Sequence, residues 1–470
     1  MSRTNFLLRE LQGTFLRSKI QWHEEGEKST KFFFNLEKSR QKKKVMKQLL
    51  TDQSLIITDQ HEIMKEQVKF YTNLYQAGET DNESRNQILC ELRRFLSPMD
   101  VEACEANIHY ELKAALLAME PNKSPGLDGL TAEFYKVFWR DFIDIFTRLI
   151  ETSFHDNELC ESMKISILTL IPKKGDLRSL NNWRPISLLN VDYKMIAKAL
   201  AKRITSISKN IISEDQTCCI PGRDISENVL TMQNVIEYVN SYNKPGFILK
   251  IDQYKAFDRV DHNYLFEVAE KLGFGPKLLK WIKLFYTNIE GRIKHNGYIS
   301  DPFPVKRGVR QGCPLSAMLY VLCAEPFLEA IINCPYIHGI KFCEVEAKIF
   351  QHADDTTFFV SSITSIYSIF NIIKLYERAS GSSCNIDKTE LLSIGCSHVN
   401  PSNFDFPVRK DFITVLGVAI GNDKKSIEKE NWEKKVTSCR KLLNTWKGRK
   451  LSFKGKSLII NSLIVTRLVY

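Results

Sequence analysis

An α+β fold is what this sequence of 470 residues predicts. Short β-branched and aromatic runs, such as Phe247–Ile251 and Ile349–Val360, have the length and composition of buried strands. Longer stretches, such as Ala132 to about Phe154, carry apolar residues at helical spacing. The two kinds follow one another without the strand–helix–strand regularity of a parallel sheet.

The elements follow in order. Residues 1 to about 100 read as mostly helical, with a charged stretch at Lys38–Lys47. Pro121–Gly129 is a loop by its Pro and Gly content. A helix follows from Ala132, then a short strand Ile165–Pro172 and a polar basic loop Lys173–Arg184. Asp192–Ile212 is a helix with a basic face, Phe247–Ile251 a strand, and Ala256 to about Leu272 a helix. Ile349–Val360 forms a hairpin, Ser365–Ala379 a helix, Thr414–Ile420 a strand, and Glu430–Tyr470 a basic helical tail.

The length allows two or three lobes with a sizeable core. Apolar residues make up 43% and charged residues 26%, ordinary for a globular chain. The net charge of +11 is higher than ordinary, and it sits in clusters at Lys38–Lys47, Lys164–Arg178, Lys194–Arg203 and Arg440–Lys456. Such clusters fit either a polyanion partner or a solvated surface. The 12 cysteines include no C-x-x-C pair and no Cys/His spacing for zinc, which points to free thiols in a reducing compartment. Cys218 and Cys219 are adjacent and would not normally bridge each other. The longest apolar run, Pro314–Ile332, is broken by Glu325 and Pro326, so no membrane span is expected. Met1–Lys19 mimics a transit peptide in its basic amphipathic character, but Glu10 argues against that reading.

The chemistry concentrates at His352-Ala353-Asp354-Asp355, between the two halves of the hairpin. Two like charges at one turn repel, unless a hard divalent cation with oxygen ligands sits between them. Asp252, at the end of Phe247–Ile251, is either a helix cap or a third carboxylate for such a site. Three aspartates suffice for two Mg²⁺, because magnesium takes few carboxylates and completes its shell with water and phosphate oxygens. Between these acids lies Lys306–Ser316, a basic loop whose Gly308 and Gly312 allow close backbone approach and whose Gln311 can hydrogen-bond a ligand.

These residues carry a family resemblance. Asp252-Gln253-Tyr254-Lys255-Ala256-Phe257-Asp258, Arg310-Gln311-Gly312-Cys313-Pro314-Leu315-Ser316 and Ala353-Asp354-Asp355 resemble the three central palm motifs of reverse transcriptases. Asn182-Trp183-Arg184-Pro185-Ile186-Ser187-Leu188-Leu189 resembles the fingers motif of the non-LTR retrotransposon branch, the long interspersed element type. Ser124–Gly129, Ile220-Pro221-Gly222-Arg223, Asn385-Ile386-Asp387-Lys388-Thr389 and Leu451–Lys456 match further motifs in the same order, as does the linker-like Trp22 with Gly26-Glu27-Lys28. The likeness covers essentially the whole chain. The Trp183 context and the Trp22 linker fit group II intron or retron-like polymerases less well.

The resemblance implies a right-hand polymerase with fingers and palm, a helical N-terminal extension and a partial thumb. Its expected division is 1–100 extension, 101–245 fingers with part of the palm, 246–422 palm and 423–470 partial thumb. It implies an RNA-directed DNA polymerase that uses an RNA template, a DNA primer, dNTPs and two Mg²⁺, with Mn²⁺ as a substitute, in an intracellular setting, nuclear or cytoplasmic, away from membranes. Asp252, Asp354 and Asp355 would hold metal. Arg184 and either Lys173 or Lys174 would clamp the triphosphate, with a surface charge as the plain alternative for Arg184. Phe257 would be the gate against a 2′-hydroxyl, or else plain core. Gln311 and Gly312 would contact the templating pair and the nucleotide. Lys388 would protonate the leaving pyrophosphate or pack against its own loop. Val415-Leu416-Gly417 would belong to the primer grip. Asp258 and Asp261 read as caps or ion-pair partners of the next helix, and Phe32-Phe33-Phe34 as core rather than a stacking platform. His352 stands where the family most often has Phe or Tyr. The resemblance implies a piece truncated at both ends, without the family's flanking endonuclease and long C-terminal segment. The rival reading is a catalytically incompetent, nucleic-acid-binding remnant.

Overall fold

The computed structural model describes residues 45–468, apart from 52, 343, 398 and 448–450. The Trp22–Lys28 linker, Phe32–Phe34, Met1–Lys19 and most of Lys38–Lys47 lie outside the described residues. The architecture is α+β, as expected, with two five-stranded sheets surrounded by helices.

The described chain opens on a short hairpin, Leu49–Leu50 with Ile56–Ile57, where helix was expected. Helix α1, Gln60–Leu74, follows and is capped by Asp59, whose side chain accepts from the amides of His61 and Glu62. The helix expected from Ala132 is two helices, Ala132–Val137 and Trp139–Asp156. Phe138 leaves the helical region between them, at ψ 22°, and the bend brings Tyr135 edge-on to Phe142 at 5.0 Å.

Strands β1, Ile165–Pro172, and β2, Trp183–Leu188, pair antiparallel. Trp183 is fully buried, and its indole N–H donates to Leu177 O at 2.9 Å. Truncating it to Ala would cost about 3–5 kcal/mol. Helix α2, Val191–Ile211, and helix α3, Ile225–Ser241, precede β3, Pro245–Gln253. The helix expected over Ala256–Leu272 is interrupted at Val260. Asp261 then caps α4, His262–Lys271, by accepting from Tyr264 N at 2.9 Å. Strand β4, Glu290–His295, joins β1 in parallel and extends the β1–β2 sheet.

Helix α5, Ser316–Asn333, is mostly apolar, is buried on nearly every side and fills the core. By length and composition alone it could cross a membrane, but 83% of its apolar window is buried inside the protein. The central sheet has the order β5–β6–β3–β7–β8, with β5 Ile349–His352, β6 Asp355–Val360, β7 Cys384–Gly395 and β8 Val408–Arg409. Helix α6, Ile363–Ser380, links β6 to β7 and is capped by Ser362. The strand expected over Thr414–Ile420 is a hairpin, Phe412–Val415 with Val418–Gly421. Its turn, Leu416-Gly417, has φ of 50° and 81°, the positive values a two-residue hairpin turn demands.

Side chains alternate across β3. Phe247, Leu249 and Ile251 enter the main core. Ile248 packs in a smaller core on the opposite face. Lys250 and Asp252 share that opposite face by the strand's two-residue period.

Candidate active site

Strand register brings the acids together. β6 pairs with β3 up to Thr356 opposite Ile251. The same register carried one residue further sets Asp355 across from Asp252. On the other side of β3, Asn385 lies opposite Asp252. A bulge between Asn385 and Glu390 then breaks the β7 register and re-aims the segment that holds Lys388. Asp252 accepts from Asn385 Nδ2 at 3.2 Å and from Lys388 Nζ at 3.1 Å.

Asp354 sits in the turn between β5 and β6. The preceding Ala353 has φ 57°, a conformation costing an L-residue about 1–2 kcal/mol. Its amide donates to Gln216 Oε1 at 3.1 Å, which helps hold the turn. Burial, then the charges of Asp355 and Asp252, push the Asp354 carboxyl up to about 6, while Arg184 opposes the shift. Burial also raises Asp355, with Asp252 adding to it and Lys250, His352 and Lys388 opposing. Three carboxylates are therefore held within each other's fields at one strand end. The fold gains nothing from this repulsion.

The described residues contain no group of three or more His, Cys, Asp or Glu that could hold a metal ion. An oxygen-only, open set fits magnesium, which binds through one or two carboxylates and takes the rest of its shell from water and phosphate.

The basic residues separate. Lys173, at the end of β1, lies in the fields of Arg184, Lys388 and Asp252, and desolvation followed by Arg184 lowers its pKa. Arg184 is exposed between buried Trp183 and Pro185, the alternation of β2 pointing it away from the core.

Phe257 is half-buried, with its ring stacked on Tyr320 at 4.6 Å and 15°. Tyr320 donates to Gln253 Oε1 at 3.0 Å and feels both Asp354 and Asp355. The pair thus borders the acids.

The Lys306–Ser316 loop faces inward more than the sequence suggested. A Cβ at Gly312 (φ 110°) would meet Ser187 O at 2.7 Å, and one at Gly308 (φ 87°) would meet Asp258 O at 2.7 Å. The close approach is to the protein's own backbone. Arg307 donates to Leu74 O, and Arg310 to the carbonyls of Met163 and Lys164 while lying over the Tyr193 ring. Gln311 donates to Asp258 Oδ1 at 2.9 Å, and its carbonyl accepts from Ser187 N at 2.6 Å. Asp258, read from sequence as a cap or ion-pair partner, is instead a buried acceptor for Gln311 and for the Tyr75 hydroxyl at 3.0 Å. Val415-Leu416-Gly417 form the end and turn of a hairpin that Lys250 reaches, donating to Thr414 O at 2.7 Å.

His352 pairs with Asp355 across the hairpin, and its Nδ1 lies 3.0 Å from Thr217 Oγ1. Burial lowers its pKa, with the charges of Asp355 and Asp224 opposing.

Several residues at the site escaped the sequence reading. Lys250 belongs to the acid face, and strand alternation from Asp252 could have found it. Lys255, at φ 49°, has its ammonium 4.3 Å over the Phe70 ring. Burial, with Lys173 adding and Asp258 opposing, brings its pKa down to about 8. Gln216 and Thr217 brace the acidic turn from more than a hundred residues away, and no local signal announces them.

Residues 171–420 match the family described as reverse transcriptase (RNA-dependent DNA polymerase). Over 99% of its length the chain is 32% identical to the transposon TX1 uncharacterized 149 kDa protein of Xenopus laevis, covering 36% of that protein. It is 25% identical, over 66% of its length, to the retrovirus-related Pol polyprotein from the type-1 retrotransposable element R2 of Popillia japonica, covering 42% of it. It is 24% identical, over 62% of its length, to the RNA-directed DNA polymerase from mobile element jockey of Drosophila melanogaster, covering 32% of it. The chain thus spans less than half the length of each of these relatives. With the acids of two distant motifs at one end of the central sheet and more than half its length matched, the chain belongs to the reverse transcriptase family, on the non-LTR retrotransposon branch.

Proposed function

We propose that this chain is the catalytic core of an RNA-directed DNA polymerase that joins dNTPs to a DNA primer 3′-hydroxyl on an RNA template. The observation that carries this reading is the convergence of Asp252, Asp354 and Asp355 at one strand end, opposed by Lys388, Lys173 and Arg184. Reverse transcriptases use divalent metal ions. Here Asp252, Asp354 and Asp355 would hold two Mg²⁺, for which Mn²⁺ can substitute. Bound there, the ions supply an activated 3′-hydroxyl and charge neutralisation on the phosphates.

The other roles fall to this chain's own side chains. Arg184 and Lys173 bind the triphosphate, the planar guanidinium matching its oxygens; Lys173 is favoured over Lys174 by its coupling to Arg184 and Asp252. Lys388 keeps its ammonium beside Asp252 and gives a proton to the departing pyrophosphate. Phe257, braced by Tyr320, excludes a ribose 2′-hydroxyl. Gln311 and Gly312 border the templating pair, held in place by Asp258 and Ser187. Leu416-Gly417 steady the primer. We assign 101–245 to fingers with part of the palm, 246–422 to the palm, 423–470 to a partial thumb and 1–100 to an N-terminal extension, in a protein that works inside the cell, in nucleus or cytoplasm.

Primer extension by the purified chain on an RNA template tests the assignment. Extension should require a divalent ion and disappear in the Asp354→Ala, Asp355→Ala double variant. Incorporation that survives this double variant would sink the proposal.

A further inference from the structure

Residues Asp215–Thr217 continue the central sheet past its edge strand β5. Gln351 N donates to Asp215 O at 2.8 Å, and Thr217 N donates to Gln351 O at 3.0 Å. Side chains tie the same segment to the acidic turn. Gln216 Oε1 accepts from both Ala353 N and Cys218 N, at 3.1 and 3.0 Å, and Thr217 Oγ1 meets His352 Nδ1. The chain then turns at Cys218-Cys219. Cys218 is half-buried and Cys219 exposed, with Cys219 at φ 63°. Their Sγ atoms lie 3.4 Å apart.

We propose that Cys218 and Cys219 form a dithiol site for soft, thiol-seeking agents of the trivalent arsenical class, placed so that its occupant acts on the Asp354 turn. A disulfide suits the pair less well. Bridged cysteines usually have Cα atoms about 4.4–6.8 Å apart. Neighbours in sequence have them only about 3.8 Å apart. A single soft atom bonded to both sulfurs asks less of the backbone: at the pyramidal angle of trivalent arsenic, about 95°, two sulfurs at a thiolate bond length of about 2.3 Å stand about 3.4 Å apart. The present Sγ separation is close to that bite.

The reaction needs no oxidant. An arsenoxide and two thiols give two As–S bonds; two S–H bonds and the As=O bond break, and the oxygen leaves as water with both protons. Exposure of Cys219 gives the reagent its entry, and the hydrogen bond from Cys218 pulls the Cys219 thiol down to about 7, which favours the thiolate. Cys218 also lies in the field of Asp354, and Gln216 Oε1 joins the Cys218 amide to the Ala353 amide of the acidic turn. The effect on catalysis rests on the polymerase reading, whereas occupancy does not.

The test titrates the purified chain with phenylarsine oxide and reads the adduct by intact mass and peptide mapping. One adduct per chain is expected, bridging Cys218 and Cys219, stable to 2-mercaptoethanol and released by 2,3-dimercaptopropanol. RNA-templated extension should be lost in step with it. Cys218→Ser and Cys219→Ser should each keep basal extension and lose both adduct and inhibition, while Cys396→Ser, at another exposed thiol, should lose neither. An adduct that persists in Cys219→Ser, or maps elsewhere, overturns the site. Full occupancy without inhibition, in a chain that extends primers, overturns its coupling to the turn. A chain that extends no primer defeats the polymerase reading, and the mass measurement still decides the site.

Discussion

Two acidic clusters in this molecule each hold a carboxyl that burial pushes up, Asp354 in one and Glu325 in the other, and they differ in their surroundings. One is Asp252, Asp354 and Asp355. The other is Glu325 and Glu329 on α5 with Asp215. Glu325 is buried, accepting from Ser213 N at 2.7 Å and lying 3.6 Å from Arg94, while Glu329 takes the same guanidinium at 2.8 Å. Burial, with Glu329 adding to it, pushes Glu325 up to about 8. The second cluster is a closed structural joint: Ser213 N and Arg94 face one oxygen of Glu325, and burial favours its protonated form. In the first cluster the acids stand at a strand end, repel one another and face cations on separate segments. A perturbed carboxyl therefore marks a reaction site only where it is reachable and where opposite charge converges on it.

Substitutions can break this contrast. The largest effect is expected at the open cluster. Asp354→Asn should cut primer extension by about 10³-fold or more, as loss of transition-state charge stabilisation does. The same change relieves repulsion, so its thermal midpoint should hold or rise. A fall in midpoint that accounts for the lost activity would make Asp354 structural.

At the loop that carries Gln311, Gly312→Ala places a methyl 2.7 Å from Ser187 O at φ 110°. It should destabilise the chain by about 2 kcal/mol or more, seen as a lower urea midpoint. At the closed cluster, Glu325→Ala should cost about 1–3 kcal/mol by stranding buried donors. Its folded fraction should extend primers normally.

The binding residues come next. Arg184→Ala and Lys173→Ala should each raise the KM for dNTP about 10-fold, the worth of one charge-assisted contact. Lys174→Ala should leave it unchanged. Equal effects at Lys173 and Lys174 would dissolve the distinction drawn between them.

A pH slope is expected at the closed cluster as well. Glu325 titrates near 4.5 unfolded and near 8 folded. The stability it contributes is whole below 4.5 and is lost as pH rises through 8. Urea midpoints measured from pH 5 to 9 should fall less steeply for Glu325→Gln than for the wild type.

The sequence made the acids and their partners visible because each sits in a run with its own local signal. Asp252 ends an apolar strand, Asp354-Asp355 interrupts a hairpin, and Arg184 stands between Trp183 and Pro185. Other features depend on contacts between distant segments. The break at Val260 follows from Asp261 capping α4 and from Gly308 N donating to Val260 O, which no helical periodicity encodes. The inward turn of Arg307 and Arg310 depends on carbonyls of Leu74, Met163 and Lys164. The bracing of the acidic turn by Gln216 and Thr217 depends on an extra strand-like pairing to Gln351.

The most direct measurement compares Asp354→Asn with Glu325→Gln in Mg²⁺-dependent primer extension on an RNA template, each checked for an intact fold. The open-site reading predicts that the first loses extension and keeps its fold, while the second retains extension close to the wild type. Extension retained by Asp354→Asn, or lost equally in both, would contradict it.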